Sequence, residues 1–278
     1  MKNLITRSLS GIVYVALIVG AILAGNLWFV VLTIIFAMVG IHEFQTLFQP
    51  RLQSYCGLAI RSLDMLMAAT LQLSILPELG LLLFTPFIFV FYILARFILA
   101  LYDKGDAPFA SAGRSVFSLI YIALPLLILN FLYLISSKLV LVAFVMIWLN
   151  DTGAYCVGSM LGRHKLFERL SPKKSWEGFF GGLAFCIGAG VVCHYMKLPE
   201  FSIGGWIGLG FTVCVFSTWG DLFESLMKRN LGVKDSGNLI PGHGGILDRI
   251  DSLLFVGPAV LLYLYLAYII PDCSFILI

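Results

Sequence analysis

Apolar residues along this chain come in long unbroken runs rather than at the spacing of an amphipathic helix or a half-buried strand. Runs of spanning length centre on residues 8–24, 28–48, 56–76, 79–101, 115–136, 139–161, 179–196, 206–227 and 249–270. A helix needs about 20 apolar residues to cross the hydrocarbon core, and backbone in lipid must satisfy its own hydrogen bonds. The pattern therefore predicts nine transmembrane helices. The third run is interrupted by Arg61 and Asp64, and the seventh is short and rich in glycine. Pro86 and Pro125 fall inside predicted spans and are expected to kink them.

Composition strengthens this reading. Of 278 residues 60% are hydrophobic, and the mean hydropathy is +0.99, more apolar side chain than one soluble core encloses. The expected fold class is an all-α integral membrane protein, a polytopic bundle of about nine transmembrane helices. Charge sets the orientation. With the N terminus inside, 14 of the 18 Lys and Arg fall in inner segments, Lys138 and Lys197 lie outside, and Arg61 and Arg96 lie within spans. The positive-inside rule then gives N-in/C-out. Lys2 and Arg7 ahead of the first run also fit a signal peptide. Its removal would leave eight spans and keep the later loops on the same side. Cys56, Cys156, Cys186, Cys193, Cys214 and Cys273 are scattered without metal-ligand spacing and read as small buried hydrophobes.

Only 12% of the chain is charged, yet residues 217–252 hold five acids (Asp221, Glu224, Asp235, Asp248, Asp251) and four bases (Lys228, Arg229, Lys234, Arg249). On a helix continuing to Asn230, Asp221, Ser225 and Lys228 share one face, with Glu224 about 60° round. Asp221 lies deeper along the span than Lys228, so it is expected to be the acid stranded in low dielectric, with Glu224→Gln the milder lesion. Asp248 and Asp251, three apart, start the next run. Carboxylates facing one another need a cation between them, and hard oxygen ligands suit Mg²⁺. Bases and glycines in the intervening loop suit phosphate. The combination points to metal-assisted phosphoryl or nucleotidyl transfer.

A second charged segment, 162–178, places Lys173 and Lys174 just before a helix start at Ser175–Gly178, where backbone N–H groups and the helix dipole also favour phosphate. Gly178, Gly181 and Gly182 predict tight packing of the helix that follows. Asp151, breaking the sixth run, reads either as a third acid at the site or as a polar contact between helices. In the first half, His42, Glu43, Arg61, Asp64 and Arg96 are costly in lipid and read as structural, pairing helices or snorkelling to the interface. The chain thus divides into a scaffold, 1–138, with room for a lipid cavity, and a catalytic region, 139–278, with cytosolic loops 162–178 and 228–248.

Two segments resemble a known family. The run SLMKRNLGVKDSGNLIPGHGGILDRID, residues 225–251, and LSPKKSWEGFFGG, residues 170–182, resemble the signatures of phosphatidate cytidylyltransferases, also called CDP-diacylglycerol synthases. The resemblance implies that CTP and phosphatidate yield CDP-diacylglycerol and pyrophosphate. On this reading the candidate catalytic residues are Asp221, Asp248, Asp251, Lys228 and Arg229. Lys173, Lys174, Ser225, Lys234, Asp235, His243, Gly244, Gly245 and Arg249 bind substrate, His243 as a phosphate or nucleotide contact. Asp221, Asp248, Asp251 and Asp151 hold Mg²⁺ and a second metal ion of unassigned identity. The expected partners are the two substrates and membrane lipid, with no nucleic acid, and the resemblance implies a homodimer. The expected location is the inner (cytoplasmic) membrane with the site facing the cytosol. The alternatives are another CTP-using lipid phosphotransferase, such as a polyprenol kinase, and an ion transporter with intramembrane carboxylates.

Overall fold

The computed structural model describes residues 2–48, 55–103, 107–198, 201–237, 239 and 244–269, with side chains left out at 2–8, 55–56 and 268–269. The protein is an all-α membrane protein. Its helices are α1 (Lys2–Ala24), α2 (Asn26–Phe48), α3 (Tyr55–Leu73), α4 (Thr85–Tyr102), α5 (Pro108–Ser118), α6 (Leu124–Ile135), α7 (Ser137–Leu161), α8 (Trp176–Tyr195), α9 (Ile203–Asn230) and α10 (Leu247–Ile269). A π-helical stretch, Leu119–Ala123, joins α5 to α6, so helical rods occur where all nine apolar runs predict them. Among the described residues, seven rods are long and apolar enough to cross a membrane. The other two are α1, whose apolar part is Leu9–Ala24, and α3, which carries Arg61 and Asp64.

Proline positions refine the prediction. Pro86 lies in the first turn of α4 and kinks nothing, because a residue without an N–H is accommodated where the helix leaves that donor unpaired anyway. The fourth run instead opens with two 3₁₀ turns, Pro77–Leu79 and Leu81–Leu83. Pro125 is the second residue after the π stretch, the usual irregularity where the helical ladder is interrupted. Segment 162–178 is an antiparallel hairpin of β1 (Lys165–Phe167) and β2 (Ser171–Ser175), pairing Lys165 with Ser175 and Phe167 with Ser171. Of the described cysteines Cys186, Cys193 and Cys214 are buried as expected, and Cys156 is exposed.

The chain forms two compact units, Met1–Leu134 with Asp235–Ile250, and Ile135–Lys234 with Asp251–Ile278. Asp235–Ile250 groups with the N-terminal helices.

Buried polar side chains inside the first unit pair with one another, although Gln45 Oε1, Arg96 Nη1 and Asn130 Oδ1 find no partner among the described residues. Asn130 Nδ2 on α6 donates to Thr33 Oγ1 on α2 (2.8 Å) and to Gln72 Oε1 on α3 (2.9 Å). Asp64 accepts from Gln45 Nε2 and from Tyr92 Oη. Arg96 on α4, fully buried, donates to Ser115 Oγ (2.8 Å) and Ser111 Oγ (2.7 Å) on α5. Tyr92 and Arg96 are the buried residues of α4, whose other face exposes Phe87, Phe91 and Leu94, as a lipid-facing helix does. The second unit buries Trp206, Leu209, Val213 and Cys186 between α7, α8 and α9. The predicted close packing is present. A Cβ on Gly178 would lie 2.8 Å from the Ala154 carbonyl, and one on Gly181 would lie 2.9 Å from that of Gly153.

Candidate active site

Within the second unit lies an open-sided pocket of about 580 Å³. Asn150, Asp151 and Tyr155 line it from α7, Lys173 and Lys174 from β2, Phe179 from α8, and Thr218 and Asp221 from α9. The hairpin is fastened to the start of α8 by Glu177, whose carboxylate accepts from the backbone N–H groups of Arg163 (3.1 Å) and His164 (3.2 Å) and contacts His164 Nδ1 (2.6 Å). Ser175 caps the same helix, accepting from Gly178 N–H at 3.1 Å. This anchoring places Lys174, whose Nζ forms an ion pair with Asp221 Oδ2. On the neighbouring wall Asn150 Nδ2 donates to Ser217 Oγ (2.8 Å).

Beside Asp221 stand Glu224 and Asp251, and one oxygen of each lies within 4.8 Å of the others. Gly220 permits this approach, since a Cβ there would sit 2.6 Å from the Asp251 carbonyl oxygen. Glu224 is 1% exposed and Asp251 9%, whereas the Asp221 side chain is 37% exposed. Lys228 Nζ pairs with Glu224 Oε2 at 2.8 Å, one turn along α9, and Ser225 Oγ lies 3.5 Å from Asp221 Oδ1. At an effective dielectric near 20, two carboxylates about 4.8 Å apart repel by roughly 3 kcal/mol. Three such pairs are opposed by two ammonium groups. A donor set made wholly of carboxylate oxygens fits a hard divalent cation such as Mg²⁺.

The remaining motif residues have settings of their own. Asp248, expected at the metal, belongs to the first unit, where its Oδ2 accepts from the backbone N–H groups of Ser236 (2.9 Å) and Gly245 (2.8 Å). It closes the loop ahead of α10 as an N-terminal acid does. Gly244 takes the left-handed conformation, φ 83°, beside Asp248. Arg249 is exposed and its carbonyl accepts from Tyr14 Oη (2.9 Å). Lys234 and Asp235 are exposed. Arg229 Nη1 donates to the Val233 carbonyl (3.1 Å), fastening the turn after α9. His243 lies outside the described residues.

Residues 5–267 match the sequence profile described as the Cytidylyltransferase family. The chain belongs to the cytidylyltransferase family. Its relatives include a phosphatidate cytidylyltransferase of Staphylococcus aureus (strain COL), 44% identical over 161 residues that cover 56% of this chain and 60% of that protein. Proteins of the same name from Staphylococcus saprophyticus and Staphylococcus haemolyticus are 41% and 39% identical over 163 residues, with the same coverage. The chain thus spans about 60% of the length of the curated relatives it matches. The family to which the two motifs pointed is the family found.

In this member of the family the depth argument misplaced the buried acid. Glu224, not Asp221, is the sequestered carboxylate. Depth along a helix axis does not determine exposure; rotation about the axis does, and the 60° between the two side chains turns Asp221 to the cavity and Glu224 inward. A signal for Glu224 was present in its i,i+4 spacing to Lys228.

Proposed function

We propose that the chain transfers a cytidylyl group from CTP to phosphatidate, giving CDP-diacylglycerol and pyrophosphate. The observation that carries this reading is the carboxylate trio Asp221, Glu224 and Asp251, one member of which also lines a lysine-bearing cavity. The names of the relatives favour nucleotidyl transfer over the kinase and transporter alternatives. A phosphate oxygen of the lipid forms a bond to the α-phosphorus of CTP as the bond from that phosphorus to the β-bridging oxygen breaks, and pyrophosphate leaves with the electron pair. The lipid phosphate is ionised at neutral pH, so no general base is needed.

Two anions must meet, and charge neutralisation is the main task. Mg²⁺ held by Asp221, Glu224 and Asp251 supplies it when bound. Asp151, on the cavity wall, offers a carboxylate to a second cation. Lys173 and Lys174 hold phosphate in the cavity, and Lys174 exchanges its contact with Asp221 for one with substrate. Lys228 keeps Glu224 in place. The N-in/C-out orientation puts the hairpin on the cytosolic side of the inner membrane, where CTP arrives and the phosphatidate headgroup lies. The assembly is a homodimer, as the resemblance implies. Membranes containing the protein, incubated with phosphatidate, Mg²⁺ and α-labelled CTP, are expected to yield labelled liponucleotide. Lipid labelled only from γ-labelled CTP would establish a kinase, and unlabelled lipid in both arms would overturn the proposal.

A further inference from the structure

We infer that Glu43, in the middle of the N-terminal scaffold, is a positioning residue that holds the signature loop and the first turn of α10 in their working arrangement. The inference rests on the function proposed above. Glu43 is 6% exposed. Its Oε1 accepts from the backbone N–H of Ile246 (3.0 Å), and its Oε2 accepts from the N–H of Leu247 (2.9 Å) and from Ser236 Oγ (3.2 Å). Ile246 and Leu247 begin α10: the Arg249 and Ile250 N–H groups already bond to the Ile246 carbonyl. Their own N–H groups are among those a helix start leaves without intrahelical partners. Helices usually meet this need with a local Ser, Asp or Asn. Here the cap comes from another helix, 203 residues away in sequence.

Two glycines make room for it. A Cβ on Gly237 would lie 2.8 Å from Glu43 Oε1, and a Cβ on Gly245 would collide with Oε2 and with Ser236 Oγ. The carboxylate thus lies close against both Gly237 and Gly245. No Lys or Arg among the described residues forms a salt bridge with Glu43. Its charge is met by N–H groups and by the positive end of α10. Glu43 and Asp248 together take four backbone N–H groups of this loop. Asp248 is held by the same loop, and Asp251 follows it on the same helix. An error in the start of α10 is therefore an error in the setting of both acids, and misplacement of a site by about 1 Å costs on the order of 100-fold in rate.

The test uses Glu43→Gln, which keeps size and shape but presents an NH₂ donor to amide donors. The full-length protein in detergent micelles is followed by hydrogen exchange, thermal unfolding and steady-state kinetics. Exchange over 236–248 is expected to rise by roughly tenfold or more, from the loss of charge-accepted hydrogen bonds. Exchange in α3 and α5 stays as in the wild type. Turnover falls by about 10- to 100-fold while the Michaelis constant for CTP stays within about threefold, because the loop's setting affects the transition state more than ground-state binding. Gly245→Ala, which displaces the carboxylate from the other side, gives the same pattern. Unchanged exchange and turnover in both variants overturn the inference. So does a rise in exchange spread over the whole scaffold, which would make Glu43 a general pin of the bundle. A wild-type chain without liponucleotide synthesis would overturn the proposed function instead, and the exchange contrast would still decide whether Glu43 holds the loop.

Discussion

Replacing Glu224 by Gln separates metal binding from folding, because the structure makes the two effects oppose each other in the metal-free protein. Glu224 repels both Asp221 and Asp251, each with an oxygen within 4.8 Å. At an effective dielectric near 20 these two repulsions total roughly 7 kcal/mol, and less on the half-exposed Asp221 side, where solvent screens it. Its attraction to Lys228 Nζ at 2.8 Å is about 6 kcal/mol on the same scale. Removing the charge removes both, so metal-free Glu224→Gln is expected to unfold within about 2 kcal/mol of the wild type. With metal the balance changes, since one of three anionic ligands is gone. If affinity falls about 30-fold, then Mg²⁺ at 100 times the wild-type dissociation constant stabilises the wild type by about 2.7 kcal/mol and the variant by about 0.9 kcal/mol. For a chain of this size 1 kcal/mol shifts the midpoint by about 2–4 °C. A Mg²⁺ titration followed by thermal unfolding in micelles therefore shows a shift of about 5–10 °C in the wild type and about 2–4 °C in the variant. If Glu224→Gln kept the full shift while Asp221→Asn abolished it, Glu224 would not be a ligand, and its burial would serve Lys228 alone.

Asp221→Asn and Asp248→Asn should both lower turnover by orders of magnitude, but only Asp221→Asn should also reduce the Mg²⁺-induced thermal shift, because Asp248 spends its carboxylate on the loop; equal thermal shifts in the two would place Asp248 at the metal after all. Lys173→Gln and Lys174→Gln should each raise the Michaelis constant for CTP or phosphatidate, with the larger change at Lys174, which contacts Asp221; unchanged constants would leave the hairpin a structural element. Gly220→Ala drives a Cβ against the Asp251 carbonyl, so it should lower turnover at least tenfold, consistent with overpacking costs of about 1–3 kcal/mol; wild-type turnover would show that α10 shifts freely at that point.

The rods were legible because lipid asks little of a helix beyond length and apolarity, and seven of the nine runs meet that demand by themselves among the described residues. What depends on neighbours was less so. The hairpin consists of three residues facing five, with an irregular register, and carries no alternation to read. Its lysines were visible as charge, but the contact of Lys174 with Asp221 depends on Glu177 of α8 fastening the residues that lead into β1. Spacing placed Asp221, Glu224 and Lys228 on one stretch of helix but left the rotation of α9 open, and the rotation decides which acid is buried. Asp248 and Asp251 looked alike as two acids three apart, and only the loop's N–H groups tell them apart. Glu43 stood out as an acid costly in lipid, but nothing local named its partners, which lie some 200 residues along the chain.

The way α4 is attached bears on biogenesis. Only 11% of its apolar window is buried, so packing contributes little to its place in the unit. Tyr92 and Arg96, four residues apart on one face, tie it to Asp64 on α3 and to Ser111 and Ser115 on α5. An arginine at mid-helix costs about 2.5–3.5 kcal/mol to insert alone, and the serines that relieve it emerge from the ribosome only after α4 does. The segment must therefore wait, at the translocon or at the membrane interface, until α5 follows. For this helix, insertion and assembly are one event, and the order of synthesis sets when it can occur.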